Sequence, residues 1–235
     1  MSMVDVVANW AAVQERISRA AKRVGRSPEA IQVVAVTKGV EIESITPLLA
    51  YGIKAVGENR IQEALPKYQR VDWRDKVKWH FIGHLQTNKV RQCLEFASLI
   101  HSVDRLRLIR EINRRAVNME LPQVEILLQV NISGEATKFG LTPEEVPALI
   151  EKAAQYEKVR IRGLMTIAPF EEDPEKTRPV FRKLRLLGED LEEKGFPQFE
   201  MKYLSMGMTN DFEVAIEEGA NLVRIGSAIF GQRPI

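Results

Sequence analysis

Eight short apolar runs, each followed by a segment with helical spacing, limit most strongly what this chain can fold into. The runs are rich in Val and Ile and too short for helices, which is typical of strands that are buried on both faces. They cover residues 32–38, 54–59, 79–84, 98–104, 124–131, 160–167, 202–208 and 221–227. Strands that alternate with helices form parallel sheets, because each helix carries the chain back along one face of the sheet.

Eight strand–helix units are the number that closes a barrel, so we predict an α/β fold, a single (β/α)₈ TIM barrel over residues 1–235. An amphipathic segment over residues 4–24 predicts one extra helix ahead of the first strand. Thr142 and Pro143 indicate the N-cap and first-turn proline of a later helix. An open doubly wound sheet is the alternative, although no G-x-G-x-x-G motif follows the first strand.

The charge pattern indicates which partners to expect. The chain has 34 basic and 32 acidic side chains, a formal net charge of +2, and the two signs are interleaved along the helical segments. This argues against nucleic acid or an anionic membrane as the main partner.

No apolar run approaches the roughly 20 residues that span a bilayer. With a single cysteine, Cys93, and no apolar secretory core over residues 1–13, the expected location is the cytoplasm.

Polar or charged residues end all eight runs. A barrel builds its functional site at the carboxyl ends of its strands, so these residues form the candidate site. In chain order they are Lys38, Asn59, His84, Asp104, Asn131, Thr166, Ser205 with Gly207, and Arg224 with Gly226. Strand ends also meet water, so part of this polarity is expected without any ligand.

Lys38 and Arg224 are the most informative of these residues, because each ends an almost wholly apolar run. Partial burial at a barrel mouth would favour the neutral amine of Lys38, which condenses with an aldehyde to an imine. The alternative is a rim lysine that keeps its ammonium group in water. Arg224 shares a strand face with Gly226 and could reach a ring bound above the barrel. An ion pair with a carboxylate is the alternative for Arg224.

Two clusters of glycine and serine predict a phosphate site. Ser205 and Gly207 end the seventh run, and Gly226 and Ser227 end the eighth. In this fold the loops after strands seven and eight, with the N-terminus of a short helix, form a recurrent phosphate site. The glycines would let backbone N–H groups approach an anion, and the serines would add hydroxyl donors. An ordinary turn is the alternative for each glycine.

Asn59 and His84 have competing explanations. Asn59 opens the sequence Asn-Arg-Ile-Gln, which resembles a capping box, so its side chain could cap a helix instead of binding a ligand. His84 could contact a ligand or fix the loop that follows it. His80 and His84 have a zinc spacing only on a helix; on a strand they lie roughly 13 Å apart, so no metal site is predicted.

Six segments of the chain resemble the pyridoxal phosphate homeostasis family, single-domain relatives of the alanine racemase barrel. They are VAVTK at 34–38, GENR at 57–60, HFIGHLQTNK at 80–89, GLMT at 163–166, LSMGMTND at 204–211 and RIGS at 224–227. The similarity extends from about Val4 to the C-terminus, so it covers nearly the whole chain.

The resemblance implies a fold-type III barrel that holds pyridoxal 5′-phosphate (PLP) as a Schiff base on Lys38, with Arg224 facing the pyridine nitrogen. The other residues that it implies as cofactor-binding are Ser205, Gly207, Gly226 and Ser227 for the phosphate and Asn59, His84 and Met165 for the ring. It implies no established catalytic residue.

The expected function is to bind PLP and to keep the pools of the cofactor and of amino and keto acids in balance. An arginine beside the pyridine nitrogen disfavours protonation of the ring, because adjacent positive charges repel, and so weakens the ring as an electron sink. The added domain that completes alanine racemases is expected to be missing, which favours a monomer. PLP-dependent apoenzymes and amino acids are the candidate partners. A PLP-dependent racemase or lyase and a regulatory adaptor are the alternatives.

Overall fold

Eight parallel strands form a closed barrel in the computed structural model, which describes residues 4–135 and 137–232. The strands are β1 Gln32–Val36, β2 Ala55–Glu58, β3 Lys78–Phe81, β4 Leu99–Val103, β5 Val124–Gln129, β6 Val159–Met165, β7 Phe199–Ser205 and β8 Leu222–Ile225. β8 pairs with β1, placing Arg224 beside Val34. The predicted barrel is therefore confirmed and the open doubly wound sheet is wrong, since an open sheet leaves its two edge strands apart. Of the predicted span 1–235, residues 1–3, 136 and 233–235 lie outside the described part.

Nine α-helices surround or cap the barrel within the described ranges. They are α1 Val6–Arg23, α2 Ile42–Ile45, α3 Ile61–Arg70, α4 Val90–Leu94, α5 Leu106–Asn118, α6 Glu145–Ala153, α7 Arg178–Glu193, α8 Phe212–Glu217 and α9 Ser227–Phe230, with 3₁₀ turns at Pro28–Ala30, Thr46–Tyr51, Thr87–Lys89 and Pro174–Thr177. None of the described helices has both the length and the apolar character needed to cross a membrane.

The extra helix predicted ahead of the first strand is α1, and it completes the outer layer. Asp5 caps it by accepting from the Ala8 N–H at 2.9 Å. Its inner edge bonds to two elements: the Asn9 side chain donates to the Ile229 carbonyl in α9, and the Trp10 indole donates to the Tyr51 carbonyl. Since the helix after β8 has only four residues, α1 covers that part of the barrel instead.

The predicted boundaries differ from the structure in two ways. Six of the eight strands end before the polar residues that were predicted to end them; β1, for example, stops at Val36, so Lys38 lies on the following loop. The exceptions are β7, which reaches Ser205, and β8, which contains Arg224. The Thr142 N-cap is wrong, because α6 begins at Glu145 with Glu144 as its N-cap. Glu145 nevertheless reaches back to accept from the Thr142 N–H at 2.8 Å, which is one half of a capping box.

The interior of the barrel changes from apolar to polar along the strands. An inner cluster of buried side chains fills its lower part: Val34, Ala55, Leu99, Leu127, Met165 and Leu222, with Tyr203 packed against them. Side chains two residues further on point into the same space, because strand side chains alternate between faces. Those positions include His101, Ser205 and Arg224, which are all buried. The candidate site therefore stands on a polar layer, which in turn rests on an apolar one.

Gly163 in β6 is expected to tolerate no side chain. Its φ is +131°, and a Cβ there would lie 2.0 Å from the Tyr203 carbonyl oxygen of β7. Gly163→Ala should lower the free energy of unfolding by about 3 kcal/mol or more, since backbone strain and overpacking add. Urea unfolding measures this. The matched control is Gly25→Ala, where φ is +68° with open space around it; an equal loss at both sites would contradict the steric argument.

Candidate functional site at the carboxyl ends of the strands

A cavity of about 510 Å³ opens at the carboxyl ends of β1 and β8. Three of the nine predicted site residues, Arg224, Gly226 and Ser227, line it, together with Val36 and the loop 208–210 that follows β7. Its volume lies in the range of small-molecule pockets. The fold thus brings the end of β8 and the loop after β7 to one opening.

Arg224 forms part of the floor of this cavity, and only 3% of its surface is exposed. Its guanidinium donates from Nη1 to the Ser205 hydroxyl at 2.6 Å and from Nη2 to the Thr166 carbonyl at 2.9 Å. Both acceptors are neutral, and the described residues offer Arg224 no ion pair, so the alternative of an ion pair with a carboxylate is wrong. Burial lowers the pKa of Arg224 to about 10, against the attraction of Asp211. The group is still charged at neutral pH.

Asp211 shapes the loop after β7. Its Oδ1 accepts from the Met208 N–H at 2.6 Å, which closes the loop that borders the cavity. The side chain is buried, and desolvation raises the pKa of its carboxyl, although the nearby Arg224 charge favours the ionised form. Asp211 therefore acts on Arg224 through the field at a distance, while its direct bond holds the loop.

Ser205 lies deeper than the cavity and is fully buried. Besides accepting from Arg224, its hydroxyl lies 3.0 Å from His101 Nδ1, and His101 Nε2 lies 3.0 Å from His80 Nδ1. Burial lowers the pKa of His80 to about 3 and the pKa of His101 well below its usual range. Both imidazoles are therefore neutral at physiological pH. The Ser205 hydroxyl, predicted to contact phosphate, is engaged in this interior network.

The two glycines predicted near the phosphate differ in their surroundings. A Cβ on Gly207 would lie 2.6 Å from the Ala215 Cβ, and φ at Gly207 is +91°, so the close packing of α8 requires glycine here whatever binds. The Gly207 carbonyl accepts the Arg224 N–H at 3.0 Å, which ties β7 to β8. Gly226 directly precedes α9. Ser227 is the first residue of α9, and it is exposed at the opening of the cavity.

Lys38 is an exposed residue on the loop after β1, and helix α3 holds the backbone on both sides of it. Before it, Lys67 Nζ donates to the Thr37 carbonyl at 2.6 Å. After it, the Gly39 N–H donates to Glu63 at 3.1 Å. Val36, two residues earlier, lines the cavity, and Lys38 itself is not part of that lining. Helix α3 therefore fixes where the lysine leaves the backbone.

A buried carboxylate completes this support. Glu58 at the end of β2 is 0% exposed, and its Oε1 accepts from the Thr37 hydroxyl at 2.7 Å and from Lys67 Nζ at 2.8 Å. Desolvation raises the pKa of Glu58, and the ammonium of Lys67 opposes that rise. Removing Lys67 alone would leave a buried carboxylate without its counter-ion, which is costly.

Asn59 does not cap a helix, so that alternative is wrong. Helix α3 begins at Ile61 after Arg60, and no side chain caps it. Instead, Asn59 Oδ1 is shielded from solvent and has no hydrogen-bond partner within ranges 4–135 and 137–232. A buried acceptor without a donor is rare in proteins and costs free energy. An unpaired acceptor beside the barrel mouth is a group that a ligand with a hydrogen-bond donor would satisfy.

His84 and Met165 lie outside the cavity lining. The His84 ring is exposed and stacks on Phe139, with their centroids 4.1 Å apart. Met165 is fully buried and lies beside Ser205 in the β6–β7 register. Their predicted contacts with a ring stay predictions. His80 and His84, whose spacing would suit zinc only on a helix, have different neighbours.

Sequence reasoning missed the roles of His101 and Lys67. His101 lies in an apolar run, two residues after Leu99 and two before Val103, and this alternation signalled an inward side chain. Nothing in the sequence indicated that Lys67, on a helix, returns to the backbone beside Lys38. That contact depends on how α3 packs.

Comparison with known proteins gives a consistent result along the whole chain. The family model described as alanine racemase, N-terminal domain, matches residues 8–234. A pyridoxal phosphate homeostasis protein from Aquifex aeolicus is 45% identical, over 94% of this chain and 95% of its own length. A protein of the same name from Pseudomonas aeruginosa is 40% identical, over 98% of this chain and 97% of its own.

Solved structures agree with the fold. PipY of Synechococcus elongatus, solved with PLP bound, is 33% identical with a TM-score of 0.79, covering 93% of this chain and 100% of PipY. An alanine racemase from Clostridium difficile has a TM-score of 0.74 at 17% identity, covering 98% of this chain and 57% of its own. At that identity the racemase is evidence for the shared barrel alone.

The buried neutral His80 predicts a measurable loss of stability in mild acid. Unfolding restores its pKa to about 6.5, so the unfolded chain binds one more proton between pH 6.5 and 3. Stability is therefore lost as the pH falls through this range, by about 1.4 kcal/mol per pH unit for one histidine. Urea unfolding of wild type and His80→Gln at pH 7, 6 and 5 should show a shallower slope in the variant; parallel curves would contradict a neutral buried His80.

Proposed function

The chain belongs to the alanine racemase N-terminal domain family and, within it, to the pyridoxal phosphate homeostasis proteins, and on this premise we propose that it binds PLP at the barrel mouth. In this role it holds and releases the cofactor, and so helps to balance the PLP pool. When bound, PLP supplies an aldehyde that an amine can capture and an aromatic ring that can accept electrons.

The buried guanidinium of Arg224 is the main support for this proposal. A guanidinium that is buried, charged and bonded only to neutral acceptors leaves a positive potential at the cavity floor. An anionic ligand with an aromatic nitrogen acceptor complements that potential, whereas a cationic ligand would be repelled. A donor at this position favours the unprotonated pyridine nitrogen. Gly226 and Ser227, two and three residues later, supply backbone N–H and hydroxyl groups at the same opening, where a phosphate fits.

The remaining polar groups also fit such a ligand. Asn59 Oδ1 is an acceptor without a donor, and a PLP-sized molecule brings a hydroxyl group that can donate. The cavity volume of about 510 Å³ accommodates a ring with a phosphate arm. Lys38, whose backbone is held on both sides by α3, is the amine proposed to capture the aldehyde as a Schiff base.

Lys38 can be tested directly. Protein incubated with PLP should show a visible absorption band that borohydride removes, and peptide mapping should then place the pyridoxyl mass on Lys38. Lys38→Ala should lose the band. Lys54→Ala is the matched control, because Lys54 lies before β2 at the opposite end of the barrel. Label distributed over several lysines, or a band that persists in Lys38→Ala, would remove Lys38 from this role.

Cofactor carriage also predicts little chemistry on amino acids. Arg224 disfavours a protonated pyridine nitrogen, so carbanions next to the ring are poorly stabilised. In deuterated water the PLP-loaded protein should exchange the α-hydrogen of added L- or D-amino acids at less than about a hundredth of the rate of an alanine racemase control, measured by proton NMR. Arg224→Glu, which places a carboxylate where the arginine stands, is the variant that tests this effect of Arg224 on the ring nitrogen. Rapid exchange by wild type would favour the racemase alternative.

We further infer a monomer in the cytoplasm that exchanges PLP with apoenzymes or amino acids. The single cysteine, Cys93, is buried and needs no oxidising compartment. Sedimentation of the loaded and unloaded protein tests the oligomeric state.

A further inference from the structure

Three buried side chains extend from Arg224 into the barrel, and PLP binding as described above does not require them. They are Ser205, His101 and His80, of which none is more than 2% exposed. The interior of a (β/α)₈ barrel is usually filled by branched apolar side chains, so a line of three polar side chains at this depth requires an explanation. Burying polar groups in such a place costs free energy unless they are hydrogen-bonded to one another.

The directions of the hydrogen bonds follow from the geometry. Arg224 has only donors, so Ser205 Oγ accepts at 2.6 Å. The hydroxyl proton then needs an acceptor, and His101 Nδ1 lies 3.0 Å away. His101 is neutral, so its proton lies on Nε2 and is donated to His80 Nδ1 at 3.0 Å. His80, also neutral, then carries its own proton on Nε2 at the far end of the line, where the described residues show no acceptor for it.

The opposite direction is unfavourable. If His101 carried its proton on Nδ1, Ser205 Oγ would receive two donors, from His101 and from Arg224. The hydroxyl proton of Ser205 would then lack an acceptor, as the described part of the chain gives Oγ only those two neighbours. Each direction leaves one donor without a described acceptor, but here that donor is the hydroxyl beside the guanidinium, and the His101 N–H would also point its positive end toward that charge.

In the favoured direction every dipole in the line points its negative end toward the guanidinium. Ser205 Oγ, His101 Nδ1 and His80 Nδ1 each face the charge, and successive hydrogen bonds polarise one another. These hydrogen-bonded side chains thus stabilise the buried guanidinium, as a carboxylate does at most buried arginines, but they leave its net charge in place. The Thr166 carbonyl fixes the second arm of the guanidinium at 2.9 Å.

We propose that His101 and His80 are positioning residues that, through the Ser205 hydroxyl, hold the Arg224 guanidinium charged and in one orientation toward the ring nitrogen of the ligand. The ligand part of this inference rests on the proposed PLP function. The tautomer part concerns the protein alone.

The tautomers can be tested without any ligand. Two-dimensional NMR of ¹⁵N-histidine-labelled protein at pH 7 should show two buried rings that are neutral and protonated on Nε2, assigned with His80→Gln and His101→Gln. Ser205→Ala should shift the His101 Nδ1 resonance, because that nitrogen loses its donor. A His101 ring protonated on Nδ1, or charged, would overturn the proposal whatever the protein binds.

The effect on Arg224 needs a ligand pair that differs only at the ring nitrogen. The probes are PLP and its carbocyclic analogue, in which a C–H group replaces that nitrogen. His101→Leu should weaken PLP binding about tenfold, the value of one hydrogen bond to a charged group, and change analogue binding by less than about twofold. His101→Gln, whose amide can accept from Ser205 and donate to His80, should restore PLP binding.

The outcomes separate the two ideas. Equal weakening of both ligands by His101→Leu would mean that the histidines only fill space, and the positioning role would be wrong. If wild type bound neither ligand while the tautomers were as assigned, the proposed PLP function would fail and the hydrogen-bond line would stand. Unchanged binding of PLP by His101→Leu would also exclude the role.

Discussion

The burial of one positive charge inside the barrel is the interaction on which the site depends. Arg224 lies on β8 with its guanidinium among neutral acceptors. Taking a charge out of water costs free energy, and proteins usually offset this cost by pairing a buried arginine with a carboxylate. Here β6 and β7 supply a carbonyl and a hydroxyl oxygen instead, so the charge stays available to whatever enters the cavity. Closure of the barrel also brings β8 back beside β1 and sets Arg224 next to Val34.

The supports around the mouth are organised in the same way, with rigid secondary structure holding short polar loops. Helix α3 bonds to the backbone before and after Lys38, and Asp211 closes the loop after β7. Helix α8 packs so closely on Gly207 that no side chain fits there. None of these groups needs to touch a ligand, yet each limits where a ligand-binding group can lie. Most of the precision of the site therefore comes from contacts between the barrel and its helices.

The fold could be predicted from the sequence because its signal is periodic and repeated eight times. The strand ends could be predicted only to within a few residues, since most of the polar residues that finish the apolar runs lie on the loops that follow the strands. What each of those residues contacts could not be predicted. Asn59 had the local pattern of a helix cap, but the close approach of β2 and β3 takes it out of that role; a Cβ on Gly83 would lie only 2.1 Å from the Asn59 carbonyl oxygen. Arg224 had a carboxylate partner as its plainest alternative, and its actual acceptors, Ser205 and Thr166, are too far away in the sequence for any local pattern to identify.

The contrast between a buried arginine and an exposed lysine has a consequence for reversible binding. A ligand anchored through Arg224 would be oriented from below by buried groups, whereas Lys38 is exposed to solvent on the loop after β1. Enzymes that carry out chemistry on a covalently held cofactor gain by excluding water from the reactive bond. A protein that must give up its cargo gains from the reverse, because hydrolysis of an imine needs water at the lysine. In the proposed binding mode, recognition by the buried Arg224 and covalent attachment to the exposed Lys38 would together suit holding and releasing a cofactor more than transforming a substrate with it.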